Sequence, residues 1–226
     1  VLCDMADKLE AAEDLPMALH DMIKDTIAAH KRIIFNGNGY SDEWVVEAER
    51  RGLPNIKCMV DAVPALVKPE AVEIFEKHGV YTKAEMESRA EVMYETYSKT
   101  INIEALTMID MAKKQIVPAT IKYQTSLAES VNAIKAASSA VDTYVQEALM
   151  ADISTNLKDM YAALAHLEEV AGKAEAMEEG AEQGHYYHDV VFTAMDELRK
   201  PADKLEMLVA KSAWPFPSYG DLIFEV

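Results

Sequence analysis

The sequence predicts a mainly α protein: a long antiparallel three-helix bundle preceded by a small helical subdomain with at most one short strand. Three observations carry the prediction. Apolar residues recur at three- and four-residue spacing along three long stretches of the 226 residues. Only eight Gly and eight Pro punctuate the chain, while thirteen Met supply adaptable side chains for helix seams. The long stretches also begin and end at recognisable helix signals.

The elements follow in order. Residues 6–31 read as helix, interrupted near Pro16, with Leu15, Leu19, Met22, Ile23 and Ile27 on one face. Residues 32–35 (RIIF) are apolar and fit a short strand or an extended connector. Asn36, Gly37, Asn38 and Gly39 form a turn, because Gly and Asn accept positive φ at little cost. Ser41 is placed to cap the next helix, and Asp42 and Glu43 suit its dipole. That helix stops at Arg51, with Gly52 and Pro54 beyond. Residues 61–67 form another short helix, and Pro69 opens one that Gly79 closes.

From Thr82 the pattern changes. Thr82 and Glu85 form a capping box, and the apolar stripe then runs through Met86, Ala90, Tyr97, Ile101, Met108, Ala112, Ile116, Tyr123, Leu127, Val131 and Ile134. Pro118 removes one amide and crowds the preceding turn, so it should kink this helix. A second stripe comprises Val145, Leu149, Ile153, Leu157, Met160, Leu164, Leu167, Ala171 and Ala174, breaking around residues 180–184. A third comprises Tyr187, Val191, Ala194, Leu198, Leu205 and Leu208, with Pro201 inside it. Three long helices with short joints bury such stripes against one another most economically as an antiparallel bundle. The tail carries Trp214, Phe216, Tyr219 and Phe224, too much aromatic surface to stay solvated, and is expected to dock.

Charge narrows the partners. Lys and Arg number 22 against 39 acidic residues, for a net charge of −17. Such a surface repels phosphate backbones and anionic lipid, which argues against nucleic acid and membrane. No apolar run approaches the ~18 residues of a membrane helix. Cys3 and Cys58 lie far apart with no metal-ligand spacing, so a reduced, cytoplasmic setting is expected. The chain opens inside an amphipathic pattern without an initiator Met, as a piece of a longer protein would.

Candidate chemistry is sparse. Gly37-Asn38-Gly39 follows an apolar run and precedes a helix, where a phosphate cradle would sit. Its third Gly position is Asp42, and Asp42 and Glu43 would repel the phosphate, so a structural turn is the better reading. His185 and His188, with Glu182 and Asp189 nearby, have the spacing of a metal site on one helix face but lack a fourth ligand. His20, His30, His78 and His166 are scattered, and no spacing supports a Ser-His-Asp or Cys-His pair. No catalytic, cofactor-binding or metal residue is therefore assigned.

Three blocks in order carry a resemblance: HKRIIFNGNGYSDEWVVEAERRGLPN at residues 30–55, EKHGVYTKAEMESRAEVMYETYSKTINIEALTMIDM at 76–111, and WPFPSYGDLIF at 214–224. They closely resemble the C-terminal region of type III glutamine synthetases. The resemblance implies an ATP-dependent ligase that phosphorylates glutamate's side-chain carboxylate and lets ammonia displace the phosphate. It implies ATP and Mg²⁺ or Mn²⁺ in the parent enzyme, and stacked hexameric rings with active sites between neighbouring subunits. The family's metal-binding glutamates, ATP signature and substrate arginines match nothing in this chain. The expectation is thus a fragment: residues 1–79 ending the catalytic domain, and residues 80–226 forming an appended helical bundle. Its role would be structural, with the rest of the catalytic domain and neighbouring subunits as partners. The alternative is a stand-alone acidic helical-bundle adaptor or scaffold without enzymatic activity.

Overall fold

A computed structural model describes residues 1–217 and 219–224, with the side chains of 219 and 220 outside that description. Among the described residues it is mainly helical, without a strand. The chain divides into two compact units, Val1–Lys57 and Cys58–Val226.

In the first unit, α1 (Leu2–Glu10) and α2 (Leu15–His30) pack as a hairpin. The break falls before Pro16, because Asp14 caps α2 by accepting the Met17 amide and Pro16 takes a first-turn position that needs no amide. Residues 32–35 do not form a strand: Lys31–Ile33 is one 3-10 turn that leads into extended Ile34. Helix α3 (Asp42–Arg50) ends as expected, in a Schellman motif: Gly52 has φ 72°, the Leu53 amide donates to the Ala48 carbonyl and the Gly52 amide to Glu49.

The second unit begins with α4 (Met59–Ala62), a 3-10 turn at Val63–Ala65, and α5 (Pro69–Lys77), which closes at Gly79 with the same Schellman bonds. Val60 and Val63 pack with Ala90 and Tyr94 in a small core of their own. The first rod is α6 (Lys83–Met111), a π-helical turn at Ala112–Ile116, and α7 (Val117–Ala137). Both halves of the Thr82/Glu85 capping box are present. The π turn directly precedes Pro118; widening the turn there moves carbonyls clear of the proline ring. It also resets the buried face, so that Ala112, Ile116 and Thr120 are buried at four-residue spacing.

The second rod is α8 (Tyr144–Glu175). The third is α9 (Ala181–Tyr186), a π turn at Tyr187–Val191, and α10 (Phe192–Leu208), which continues past the buried Pro201. Lys113 pairs with Glu168 and Lys135 with Glu147, so the first two rods run antiparallel. The Gln183 side chain donates to the Ala174 carbonyl across the second joint. The principal core forms where the three stripes meet, with Ile153, Met160, Leu164, Leu167, Val191 and Leu205 at most 1% exposed.

Two details depart from the stripes. Val145 is 65% exposed, because the core begins further along α8. Gly184 lies inside α9 rather than in the joint; a Cβ there would sit 3.1 Å from the Tyr94 ring and 3.3 Å from Val60, so the glycine lets α9 approach α6 and α4. The tail, including α11 (Tyr219–Phe224), docks only in part. Trp214 and Phe216 pack edge to face on the principal core, whereas Phe224 is exposed and the Tyr219 side chain lies outside the described residues.

Candidate functional site

The 30–55 block folds around Arg51. Its guanidinium donates to the carbonyls of Arg32 (3.1 Å) and Ile34 (2.5 Å), and to the Glu47 carboxylate (2.6 Å). The same group lies 5.8 Å from the ring centres of both Phe35 and Trp44, which themselves stack at 4.4 Å. One cation thus fastens the extended segment to α3. Arg50 and Arg51, hydrogen-bonded to its side chain, hold Glu47 down at about 2 from an ordinary 4.5.

This arrangement explains the Asn/Gly turn without a ligand. Neither Gly37 nor Gly39 has positive φ; a Cβ on Gly37 would meet the Phe35 ring at 2.5 Å. Gly37 therefore answers to space beside the Phe35 ring rather than to backbone handedness, while a Cβ on Gly39 would meet nothing within 4 Å. Asn38 accepts the Tyr40 amide, and Ser41 donates to the Asn38 carbonyl. Ser41 stands at the N-cap of α3, yet its hydroxyl accepts no amide of that helix. With Asp42 and Glu43 in the first turn, the segment does not fit a phosphate.

His185 and His188 do not converge. His188 Nδ1 lies 2.7 Å from Asp189, and His185 Nδ1 lies 3.8 Å from Asp61. Asp61 also accepts from the Cys58 thiol at 2.9 Å. This Cys58–Asp61–His185 contact escaped the sequence reading, since 124 residues separate Asp61 from His185. The carboxylate, hydrogen-bonded to the thiol, and then burial, push Cys58 above its ordinary pKa, the reverse of nucleophile activation. No group of three or more His, Cys, Asp or Glu is placed to hold a metal ion among the described residues.

Two apolar surfaces remain. A groove of about 330 Å³ runs between α6, α10 and the tail, walled by Met108, Ile116, Leu198, Ala202, Trp214 and Phe216. In the first unit, Leu2, Met5 and Leu9 of α1 face Leu19, Ile23 and Ile27 of α2 along a nearly wholly apolar trough. No residue of either helix is buried. No described helix is long and apolar enough to cross a membrane.

Comparison with known proteins gives this geometry a context. A family profile described as "Glutamine synthetase C-terminal domain" matches residues 18–135. A "Glutamine synthetase" of Butyrivibrio fibrisolvens is 37% identical over 96% of this chain and 31% of its own length. A "Type-3 glutamine synthetase" of Dictyostelium discoideum is 28% identical over 92% of this chain and 29% of its own length. A "Glutamine synthetase" of Bacteroides fragilis (strain YCH46) is 29% identical over the same shares. The chain therefore spans about a third of the length of the curated relatives it matches.

Proposed function

Because this chain belongs to the glutamine synthetase C-terminal domain family, we propose that it is the C-terminal part of an ATP-dependent, cytoplasmic glutamate–ammonia ligase and serves there as a structural brace. In the parent enzyme ATP phosphorylates the glutamate side chain, ammonia displaces phosphate, and Mg²⁺ or Mn²⁺ steadies the charges. Those events belong to sequence outside this chain; ATP's phosphates do not fit the Asn/Gly turn, and no step is routed through it. Residues 1–79 complete the catalytic domain, and residues 80–226 form the appended bundle, although Val60 and Val63 already pack with α6. Neighbouring subunits of a homo-oligomer of stacked hexameric rings are the further partners. Relatives called glutamine synthetase do not favour the adaptor reading.

The observation that carries the bracing role is the trough of α1 and α2. Leu19, Ile23 and Ile27 are 44–51% exposed along one face, which is more contiguous apolar surface than scattered surface residues supply. In the parent this face packs on the rest of the catalytic domain. Hydrogen exchange tests the reading: α2 amides should exchange quickly in the 226-residue chain and become protected in the longer polypeptide. Equal exchange in both would reject it.

A further inference from the structure

The chain holds six asparagines, and only Asn36 and Asn38 are followed by glycine. An asparagine side chain can be attacked by the backbone nitrogen of the next residue, and glycine, with no Cβ, hinders that approach least. Asn102, Asn132 and Asn156 lie inside α6, α7 and α8, where the following amide is spent on the helix ladder. Asn55 precedes Ile56, whose branched Cβ crowds the same path. Residues 36–40 are exposed and belong to no helix. Neither the Gly37 nor the Gly39 amide donates a hydrogen bond among the described residues, so both nitrogens are accessible nucleophiles.

The two asparagines are held differently. Asn38 Oδ1 accepts the Tyr40 amide at 3.0 Å, and the Asn38 carbonyl accepts the Ser41 amide at 3.2 Å and the Ser41 hydroxyl at 2.9 Å. This Asx turn aims the Asn38 side chain at residue 40 and away from the Gly39 nitrogen it would have to meet. The Asn36 side chain makes no hydrogen bond among the described residues. Cyclisation at Asn38 must first break the bond to Tyr40; at Asn36 it breaks none.

We propose that Asn36–Gly37 is a self-modification site. The Gly37 amide gives up its proton to hydroxide, and its nitrogen attacks Asn36 Cγ. The N–Cγ bond forms, the Cγ–Nδ2 bond breaks, and the amide group leaves as ammonia, taking a proton from water. The resulting succinimide is opened by water at either ring carbonyl, giving aspartate or isoaspartate. Each event adds one negative charge to the chain. The isoaspartyl product also adds one carbon to the main chain beside Gly37, whose backbone lies so close to the Phe35 ring that a Cβ would meet it at 2.5 Å. The change falls in the segment that Arg51 fastens to α3.

The test is incubation of the folded 226-residue chain at physiological temperature and mildly alkaline pH. Peptide mass mapping reads conversion at each asparagine, and isoaspartate is counted by enzymatic methyl transfer from S-adenosylmethionine. Conversion at Asn36 should outpace that at Asn38 several-fold in the folded chain, and the two rates should converge in guanidinium, where the Asx turn is gone. Asn36→Gln should remove most of the isoaspartyl signal, because glutamine must close a larger ring; Asn38→Gln should leave most of it. An unmodified Asn36 in the folded chain, faster conversion at Asn38, or the same ratio of the two rates folded and unfolded would overturn the proposal.

Discussion

Helices α2 and α8 carry the same apolar rhythm but meet different surroundings. In α8, Ile153, Met160, Leu164 and Leu167 are at most 1% exposed; in α2, Leu19, Ile23 and Ile27 remain 44%, 51% and 51% exposed. Helix α8 packs against both α7 and α10, whereas α2 packs against α1 within its unit. Periodicity identifies the face that gains by leaving water; a neighbour decides whether it leaves. The two tryptophans allow the regions to be followed separately, since Trp44 lies in the first unit and Trp214 in the second.

The largest expected effect breaks the better-packed side. Leu164→Ala should cost about 2–5 kcal/mol in urea unfolding followed at Trp214. Ile23→Ala in α2 should fall within about 0.5 kcal/mol, as exposed sites do. Comparable losses for the two would mean that the α2 face is covered in this chain.

Next come two effects of about 1–3 kcal/mol. Gly184→Ala should destabilise the second unit by that amount, because a methyl group 3.1 Å from the Tyr94 ring and 3.3 Å from Val60 forces these buried neighbours to shift. Arg51→Ala should cost the first unit about 2 kcal/mol, read at Trp44, through the lost charged hydrogen bonds to the Arg32 and Ile34 carbonyls.

Acid sharpens the comparison at the same node. Folding favours the Glu47 carboxylate, lowering its pKa from 4.5 to about 2. Its stabilising contribution is fully present above 4.5 and is lost as pH falls through about 2. The Trp44 signal of the parent chain should therefore show acid sensitivity in that window, and Glu47→Gln should reduce it.

The smallest effects separate two helix starts. Thr82→Ala breaks a complete capping box and should cost about 1 kcal/mol. Ser41→Ala removes a hydroxyl that accepts no helix amide and should cost only a few tenths of that. Equal thermal shifts for both would show that Ser41 caps α3 in solution.

The three rods and their buried stripes were legible from the sequence because propensity, capping and apolar spacing agreed from Thr82 to Leu208. A disturbance of the helix before Pro118 was legible from the sequence, but not that it would take the form of a π turn at Ala112–Ile116, which depends on how the backbone widens ahead of the proline ring. The Asn/Gly turn was located correctly and explained wrongly: Gly37 answers to the Phe35 ring, a tertiary neighbour that backbone propensity does not register. The Asp61–His185 contact depends on which helices meet. No local pattern encodes that.

The central claim is that these residues brace an enzyme whose bond-making groups lie elsewhere. Incubating the purified 226-residue chain with glutamate, ammonium and MgATP, and measuring glutamine, addresses it most directly. The account predicts no glutamine above the protein-free control. Sustained turnover proportional to chain concentration would contradict it.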